Sequence, residues 1–507
     1  MTTAPPTAAA ATADVALPVT IARSFLPSLV PDAVIRRVPI ALILVIQAVV
    51  SISLVNFAWA DEGLYMFAGH QEIAHLLHGV DISQFGYGKY FSGAPALYPV
   101  LAAALDTVGG LQAARLFSTV CMLTASISVY LITKALFGRR AAFLALCVFA
   151  FAGPILFLGH YATYDAMALA LLAAAGAVLT RYAGYRSAVV AGLLLGLAMA
   201  VKYAGALWVP SVMLLGLIPH RQGSWRKWLR PNAIRLLVTA LTMIVLIGTA
   251  LAVWGQLIWQ GILFTTTARV AQIPVSDSYL LGVIATDAGP QLVLAAAGAV
   301  LLVKFRRSWF TALLLLGSAF LAPLHQIQID ELAALHKHVG FGLIFAAPLA
   351  GYALAQLPRW NKFYGTLAAG IIVVGVTMMG RSDAGAIMDI PKLNQPLLDE
   401  IKALTSSPVT AQNKNVLVAI DANAVMYYQQ DDNPQISWDA YSSADLIHQG
   451  YYSIIVFNNI VTHIDQVDAR NAQIIEAVTS TPGYRLAYSA PLRPGFRTFE
   501  WSIYVKA

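Results

Sequence analysis

The feature that most constrains this chain is a series of long apolar runs with few charged residues. The first run, Val38 to Ala58, contains no Lys, Arg, Asp or Glu. Because an α-helix rises about 1.5 Å per residue, a run of this length can cross the roughly 30 Å hydrocarbon core of a membrane. We therefore predict a membrane-spanning helix here, with the acid pair Asp61–Glu62 at its far end.

Ten further apolar runs follow the first one. They lie at residues 112–136, 141–158, 166–181, 187–201, 203–219, 234–255, 290–303, 309–324, 339–357 and 363–379. Only 11% of the 507 residues are charged, whereas a soluble domain carries about 25%. The sequence therefore predicts a polytopic α-helical membrane protein, surrounded by membrane lipids, with about 11 transmembrane helices.

The charges between the runs predict the orientation of the chain. If Arg36 and Arg37 are cytoplasmic, alternation places the other basic loops on the same side, and none of those loops contains Asp or Glu. Cytoplasmic loops carry an excess of Lys and Arg. We therefore expect a protein of the plasma (inner) membrane with its N-terminus cytoplasmic and its C-terminus extracytoplasmic. The net charge of +7 lies mainly in these loops, so no nucleic-acid partner is expected.

Composition divides the chain into three parts. Residues 1–37, rich in Ala, Thr and Pro, predict a disordered cytoplasmic tail. Residues 38–381 are expected to form the transmembrane domain, with a long first outer loop at 59–111. Residues 382–507 are expected to form a small extracytoplasmic α/β domain, because two apolar stretches there are typical of buried strands. These stretches are Asn415–Asp421 and Tyr452–Phe457.

Acidic and basic residues gather on the predicted outer face. Asp61 and Glu62 follow the first span, Asp165 lies between the third and fourth, and Lys202 lies between the fifth and sixth. The segment His336-Lys337-His338 precedes the tenth span. A carboxylate can take the proton from an attacking hydroxyl, and cations can hold a phosphate and stabilise its charge as it leaves. This set suits a substrate with a sugar, an anionic phosphate and a long apolar tail.

The order of these residues resembles that of the GT-C glycosyltransferases. An Asp-Glu pair after the first span, an acid in the next outer turn and a Lys in the following one are similar to two groups: the protein O-mannosyltransferase-like group (glycosyltransferase family 39) and the lipid A aminoarabinose transferases. The resemblance covers residues 38–380 and includes Tyr90–Pro95, Pro99 and Ala114-Arg115. Where aminoarabinose-type members carry Glu-Lys-Pro, this chain has Gly-Ala-Pro at 93–95, and Lys89 is the nearest substitute.

The resemblance implies a GT-C fold and a reaction. Asp61 would be the catalytic base and Asp165 the second acid, Lys202 would face the donor phosphate, and transfer from a polyprenyl-phosphate sugar would invert the anomeric centre. The acceptor would be a hydroxyl of a glycan, lipid or protein on the extracytoplasmic face. Glu62 joins the predicted catalytic group, more as a structural residue than as the base. Further donor-phosphate contacts are predicted for Arg115, Lys89, Lys337, His338 and Arg269.

Structural interpretations of the same residues stay open. The pair Asp61–Glu62 could be a helix end or an N-cap, and Asp165 could cap the following helix. Arg115, inside a predicted span, could instead pair with an acid such as Asp106, because a lone guanidinium in a membrane needs a partner.

Two further questions concern cofactors and the class of protein. The sequence requires no cofactor and assigns no metal ligands; a divalent metal has no support in it, and metal dependence stays open. His70, His75 and His78 are spaced over more than one helix face, which favours interfacial histidines over a metal site with Glu72. The alternatives to a transferase are a transporter or flippase for a lipid-linked or anionic substrate, and a catalytically inactive scaffold.

Overall fold

The apolar runs form the helices of a membrane-protein bundle, to which a small β-sheet is attached. The computed structural model describes residues 32–53, 56–82, 91–219, 225–266, 275–359, 361–388, 393–408, 413–419, 422–429, 436–439, 444–459, 465–493 and 496–507. The chain separates into two units, Met1–Leu42 and Ile43–Ala507. Of the first unit, the structure describes the beginning of one helix. The candidate site lies in the second unit.

The bundle consists of long helices joined by short connections. They are α1 (Asp32–Ile52), α2 (Ala60–His78), α3 (Tyr98–Phe137), α4 (Arg139–Ala150), α5 (Gly153–His160), α6 (Tyr164–Arg181), α7 (Tyr185–Val201), α8 (Val209–Leu215), α9 (Trp225–Thr266), α10 (Asp277–Arg306), α11 (Trp309–Gln328), α12 (Leu335–Gln356) and α13 (Lys362–Met388). Two 3-10 helices, Tyr203–Trp208 and Leu357–Arg359, precede α8 and α13.

Each predicted apolar run coincides with helix among the described residues. In the part of the chain that the structure describes, seven helices are long and apolar enough to cross a membrane, or eight if α4 and α5, which are bent by 62°, count as one span. Three shorter apolar helices, Arg37–Ile52, Tyr185–Val201 and Tyr203–Leu215, coincide with the remaining runs. The prediction of a polytopic α-helical membrane protein is therefore confirmed.

Helix α12 is the centre of the bundle. In its span, 94% of the most apolar window is buried, against 6% in α9. Small residues allow this packing: a Cβ added at Gly342 would lie 2.4 Å from the carbonyl oxygen of Ala319, and one added at Gly351 would lie 2.3 Å from that of Ala141. Close backbone approach at small residues is how membrane helices pack tightly. The first turn of α12, which carries Lys337, is thereby fixed in position.

The region after the first helix differs from the prediction. Helix α1 ends at Ile52, and Asn56–Trp59 are not helical. Asp61 and Glu62 therefore lie in the first turn of α2 and not at the end of the first span. Backbone groups of residues 56–59 are bound by side chains from other parts of the molecule. Gly110, with a φ of 66°, similarly breaks α3 ahead of the predicted second span.

The C-terminal region contains a five-stranded sheet with the strand order β2-β1-β3-β5-β4. Its strands are β1 (Asn415–Val418), β2 (Ser437–Asp439), β3 (Ile454–Asn458), β4 (Tyr484–Arg493) and β5 (Phe496–Lys506). Strand β1 pairs in parallel with β2 and β3, whereas β5 pairs antiparallel with β3 and β4. The helices that accompany them are α14 (Gln395–Thr405), α15 (Ala422–Gln429), α16 (Ala444–His448) and α17 (Asp465–Ser480). The predicted small α/β region is confirmed, with β1 and β3 as buried strands.

The sheet region packs onto the bundle through α15 and α2. A Cβ added at Gly63 would lie 2.5 Å from the Cα of Ala424, so the two backbones touch. Ala58, just before α2, shares one apolar core with Val425 and Leu397 of the C-terminal region. This core places α15 directly against the start of α2.

Of the segment expected as a tail, residues 1–31 lie outside the described residues, and residues 32–37 begin α1. The boundary expected at residue 382 lies within α13.

Candidate functional site

Two acid–lysine pairs meet at one end of the bundle, which we call the acidic end (the end that carries Asp61 and Asp165). In the first pair, Lys337 donates a hydrogen bond to Oδ2 of Asp61. The lysine side chain is 6% exposed and the aspartate side chain 32%. The ammonium also lies 4.7 Å from the centroid of the Trp59 ring. Asp61 is therefore held from one side by a buried cation and faces open space on the other.

The second pair joins Asp165, in the first turn of α6, with Lys202, which follows α7. Lys202 Nζ donates to Asp165 Oδ1 at 2.5 Å, and the two side chains are 3% and 0% exposed. The ammonium lies 4.8 Å from the centroid of the Tyr164 ring. The other oxygen, Oδ2 of Asp165, is buried without a hydrogen-bond partner among the described residues. This oxygen can therefore accept a hydrogen bond from a ligand or a water molecule, since buried polar atoms are normally hydrogen-bonded.

The two pairs form one electrostatic cluster. Asp165 interacts with Lys337 as well as with Lys202. Between them lies Tyr65, whose ring centroid is 4.7 Å from that of Tyr164. Burial raises the pKa of Tyr65 well above its usual range, and the nearby phenol and carboxylates add to this. The Tyr65 hydroxyl therefore keeps its proton and remains a hydrogen-bond donor.

Glu62 makes a third, fully buried pair with Arg115. The guanidinium donates through Nε to Oε1 at 2.9 Å and through Nη2 to Oε2 at 2.8 Å. Glu62 also accepts from the backbone N–H of Trp59 at 2.9 Å and of Ala162 at 2.8 Å. Such a bidentate ion pair is strong and geometrically specific. With four accepted hydrogen bonds and 0% exposure, Glu62 has no oxygen turned towards a substrate.

Arg115 uses its remaining donors on the chain just before α2. Nη1 donates to the carbonyl oxygen of Asn56 at 2.9 Å, and Nη2 to that of Phe57 at 3.2 Å. Asp106, the acid suggested as its partner, instead contacts His70 Nε2 at 2.7 Å and accepts from the Tyr427 hydroxyl at 2.8 Å. Arg115 therefore pairs with Glu62 and not with Asp106.

One other predicted site residue, His338, lies beside this cluster, and two lie outside the described residues. His338 is next to Gln326, with 3.2 Å between Nδ1 and Nε2, on a cavity of 70 Å³ that also contacts Trp208 and Thr265. Lys337 is one residue away on the same helix. Lys89 and Arg269 fall in segments that the structure does not describe.

The residues 92–94 lie against the end of α7, next to Lys202. Ala94 N–H donates to the carbonyl oxygen of Ala200 at 2.8 Å, and Tyr203 N–H donates to that of Ser92 at 2.7 Å. A Cβ at Gly93 would come within 2.0 Å of the Val201 carbonyl oxygen. This position therefore has no room for a side chain.

The histidines of α2 do not gather around a common point. His70 contacts Asp106, and His75 Nδ1 lies 2.7 Å from the carbonyl oxygen of Val80. Within the described ranges, no three His, Cys, Asp or Glu side chains are close enough together to hold a metal ion.

Aromatic residues that the sequence did not single out surround the cluster. Trp59 and Tyr65 flank Asp61 along the chain, and the rings of Phe157 and Tyr161 lie 5.4 Å and 5.6 Å from Trp59. Burial raises the pKa of Tyr161 to about 12, so this ring stays neutral beside Arg115. In the sequence, the aromatic residues spaced around Asp61–Glu62 are the sign of this aromatic shell. Trp and Tyr are enriched at membrane interfaces in general, so this sign does not stand out.

Comparison with known proteins adds a family and a fold. Residues 95–254 match the model of the family described as dolichyl-phosphate-mannose-protein mannosyltransferase. The matched stretch includes Arg115, Asp165 and Lys202, and it ends before Lys337. No curated protein matches the chain.

Solved structures match over most of the chain. AglB, an archaeal oligosaccharyltransferase from Archaeoglobus fulgidus in complex with an inhibitory peptide and a dolichol-phosphate, has a TM-score of 0.59 at 13% identity, over 94% of this chain and 75% of that chain. ArnT from Cupriavidus metallidurans, bound to undecaprenyl phosphate, has a TM-score of 0.54 at 14% identity, over 92% and 97%. The arabinofuranosyltransferase AftD from mycobacteria has a TM-score of 0.54 at 17% identity, over 93% and 40%.

All three are GT-C glycosyltransferases, and at these identities the likeness concerns the fold. The resemblance seen in the order of the charged residues is therefore confirmed: this integral membrane protein has the fold of the GT-C glycosyltransferases.

Proposed function

We propose that the protein transfers a hexose or pentose from a polyprenyl-phosphate donor to a hydroxyl acceptor, with inversion at the anomeric carbon and Asp61 as general base. The observation that carries this proposal is the Asp61–Lys337 pair, in which a carboxylate open to solvent is joined to a buried cation. A base and a phosphate-binding cation are the two groups that a single displacement of this kind needs.

Exposure favours Asp61 over the other acids as the base. Its side chain is 32% exposed, whereas Asp165 and Glu62 are 0% exposed and bound to Lys202 and Arg115. A general base must come within hydrogen-bond reach of the hydroxyl that it deprotonates. Asp61 meets this requirement without a rearrangement of the buried core.

The pairing also suggests how donor binding prepares the base. Lys337 donates a hydrogen bond to Asp61. A donor phosphate competes for the same ammonium, and its arrival frees the carboxylate to accept a proton from the acceptor hydroxyl. The acceptor oxygen then bonds to the anomeric carbon as the bond from that carbon to the phosphate oxygen breaks. The electron pair leaves with polyprenyl phosphate, whose charge Lys337 stabilises.

The other two pairs support this chemistry without taking part in proton transfer. Lys202 and Asp165 lie in the same electrostatic cluster and add a second cation near the phosphate. Glu62 and Arg115 hold the backbone of the segment just before Asp61. We therefore assign Glu62 and Arg115 to positioning, and His338 to the wall of the cavity beside Lys337.

The neighbouring structures support the donor class, and the distribution of the basic loops supports the membrane face. ArnT was solved with undecaprenyl phosphate and AglB with a dolichol-phosphate, and both ligands are polyprenyl phosphates. The basic loops lie at the other end of the bundle from Asp61, so the positive-inside rule puts the acidic end outside the cytoplasm. We place the protein in the plasma membrane with its sheet region on the extracytoplasmic side.

The test is donor turnover by purified protein in detergent. Short-chain polyprenyl-phosphate sugars are supplied one at a time with hydroxyl acceptors, and release of polyprenyl phosphate is measured. Lys337→Met should raise the donor KM about 10- to 100-fold, because a hydrogen bond to a charged group contributes about 1.5–3 kcal/mol. Lys362→Met, an exposed lysine at the other end of the bundle, is the matched control.

The expected result is turnover of at least one donor by the wild type, with an unchanged KM in the control. Absence of turnover for every donor, by folded protein that still binds polyprenyl phosphate, would instead favour a transporter or a scaffold. An unchanged donor KM in Lys337→Met would remove this lysine from the phosphate site.

A further inference from the structure

The segment that leads into α2 is held by side chains from three parts of the molecule. Arg115 of α3 binds the carbonyl oxygens of Asn56 and Phe57. Glu62 of α2 binds the N–H of Trp59. The N–H of Ala58 donates to the hydroxyl oxygen of Tyr428 at 2.8 Å. Each of these four consecutive residues thus has a backbone group bound by a side chain, and Asp61 follows two residues later.

Only the bond to Ala58 comes from the C-terminal region, since Tyr428 lies on α15. Its ring also packs edge-on against Phe57, with centroids 5.5 Å apart. Ala58 is 3% exposed, so its N–H has no access to bulk water as a substitute partner. A buried backbone donor that loses its partner is costly.

The contact between Gly63 and Ala424 adds a steric constraint to this hydrogen bond. A Cβ at Gly63 would lie 2.5 Å from the Cα and 2.6 Å from the nitrogen of Ala424. The first turn of α2 therefore rests directly on the backbone of α15. A displacement of α15 would move the turn that carries Asp61.

Tyr427, the neighbouring residue, makes a separate contact. Its hydroxyl donates to Oδ1 of Asp106 at 2.8 Å, and Asp106 also binds His70. This contact joins α15 to α3 and to the middle of α2 but does not involve the segment before Asp61. The two adjacent tyrosines thus offer a matched comparison.

We propose that Tyr428 is a positioning residue for Asp61, through which the C-terminal region sets the rate of sugar transfer by fixing residues 56–61. The inference rests on the proposed function for its kinetic readout. In this account the C-terminal region is part of the machinery that orients the base, in addition to any contact that it makes with the acceptor.

The loss of the Tyr428 hydroxyl is expected to lower kcat. Without the hydroxyl, the Ala58 N–H is left unpaired and the segment before Asp61 loosens, while Lys337 and Lys202 stay in place. Small misplacements of a catalytic group lower the rate sharply. We expect Tyr428→Phe to lower kcat about tenfold, with the donor KM changed less than about twofold.

The experiment compares Tyr428→Phe with Tyr427→Phe in the full-length protein. Two readouts are taken: kcat and KM for donor and acceptor, and hydrogen–deuterium exchange of the peptide that contains Ala58. We expect faster exchange and a lower kcat in Tyr428→Phe alone. Equal losses of kcat in both variants would indicate general loosening of α15 and would overturn the proposal, as would an unchanged kcat or unchanged exchange in Tyr428→Phe.

The exchange readout separates this proposal from the proposed function. If the wild type turns over no donor, the proposed function fails, and exchange at Ala58 then decides whether Tyr428 fixes the segment. If the wild type is active and Tyr428→Phe lowers kcat with unchanged exchange, the tyrosine acts in some other way and the positioning proposal fails.

Discussion

Replacement of Glu62 by Gln should destabilise the protein strongly, although Glu62 is not assigned to the chemistry. In the wild type, the carboxylate accepts two hydrogen bonds from Arg115 and two from the backbone N–H groups of Trp59 and Ala162. Each oxygen accepts two of these four hydrogen bonds, so in Gln, which keeps a single oxygen acceptor, two of the four donors face an N–H group instead. Arg115, whose side chain is 4% exposed, is then a buried cation without a counter-charge.

The size of this effect follows from the burial. Breaking a buried ion pair by removal of one partner typically costs about 3–5 kcal/mol. Asp61→Asn breaks a pair whose carboxylate is 32% exposed, and the buried Lys337 keeps its interaction with Asp165, so this change should cost less than the loss of a pair buried on both sides. We therefore expect Glu62→Gln to lower the Tm by roughly 5–15 °C in detergent and Asp61→Asn to lower it by only a few degrees.

The assay is thermal unfolding followed by size-exclusion chromatography in detergent. A double variant, Glu62→Gln with Arg115→Met, removes both charges and should lose less stability than the sum of the single changes. If Glu62→Gln unfolds at the wild-type temperature, or if the two single changes add without coupling, the buried pair does not hold the start of α2 and the reasoning is refuted.

Three further predictions follow from other contacts. Asp165→Asn and Lys202→Met should each lower the Tm, whereas the double variant should be closer to wild type, because the 2.5 Å pair is fully buried; additive losses would contradict the pairing. Gly93→Ala should abolish folding or activity, because its Cβ would lie 2.0 Å from a carbonyl oxygen, whereas Gly184→Ala, with open space around it, should behave as wild type in expression and turnover. Burial raises the pKa of Glu72 above its usual value of 4.5, so the ionised carboxylate destabilises the folded state at higher pH. Glu72→Gln should therefore raise the Tm at pH 8 and leave it unchanged near pH 4. A lower Tm of the variant at pH 8 would show instead that the charge is stabilising.

Much of the bundle could be predicted from the sequence, because a membrane allows few solutions. Every backbone polar group within lipid must be paired internally, which makes each long apolar run a helix. The same constraint makes charged residues at helix ends conspicuous, and Asp61, Asp165, Lys202 and Lys337 indeed lie together.

The partners of these charges could not be predicted. Arg115 has Glu62 as its partner, and Glu62 lies in the first turn of α2, whereas the sequence placed it at the end of the first span. The contribution of Tyr428 depends on a contact over 370 residues of sequence separation. Neither periodicity nor local composition carries information about such a pairing, which is set by packing of α15 against α2.

The measurement that tests the central claim most directly is the rate of sugar transfer by Asp61→Asn beside wild type, with Asp277→Asn as the control. Asp277 is an exposed acid in the first turn of α10, outside the cluster of acid–lysine pairs. If Asp61 is the general base, its replacement should lower kcat about 10²- to 10⁴-fold while the protein stays folded and binds the donor, and the control should keep the wild-type rate. A kcat for Asp61→Asn within a few-fold of wild type would contradict the account and remove Asp61 from the reaction.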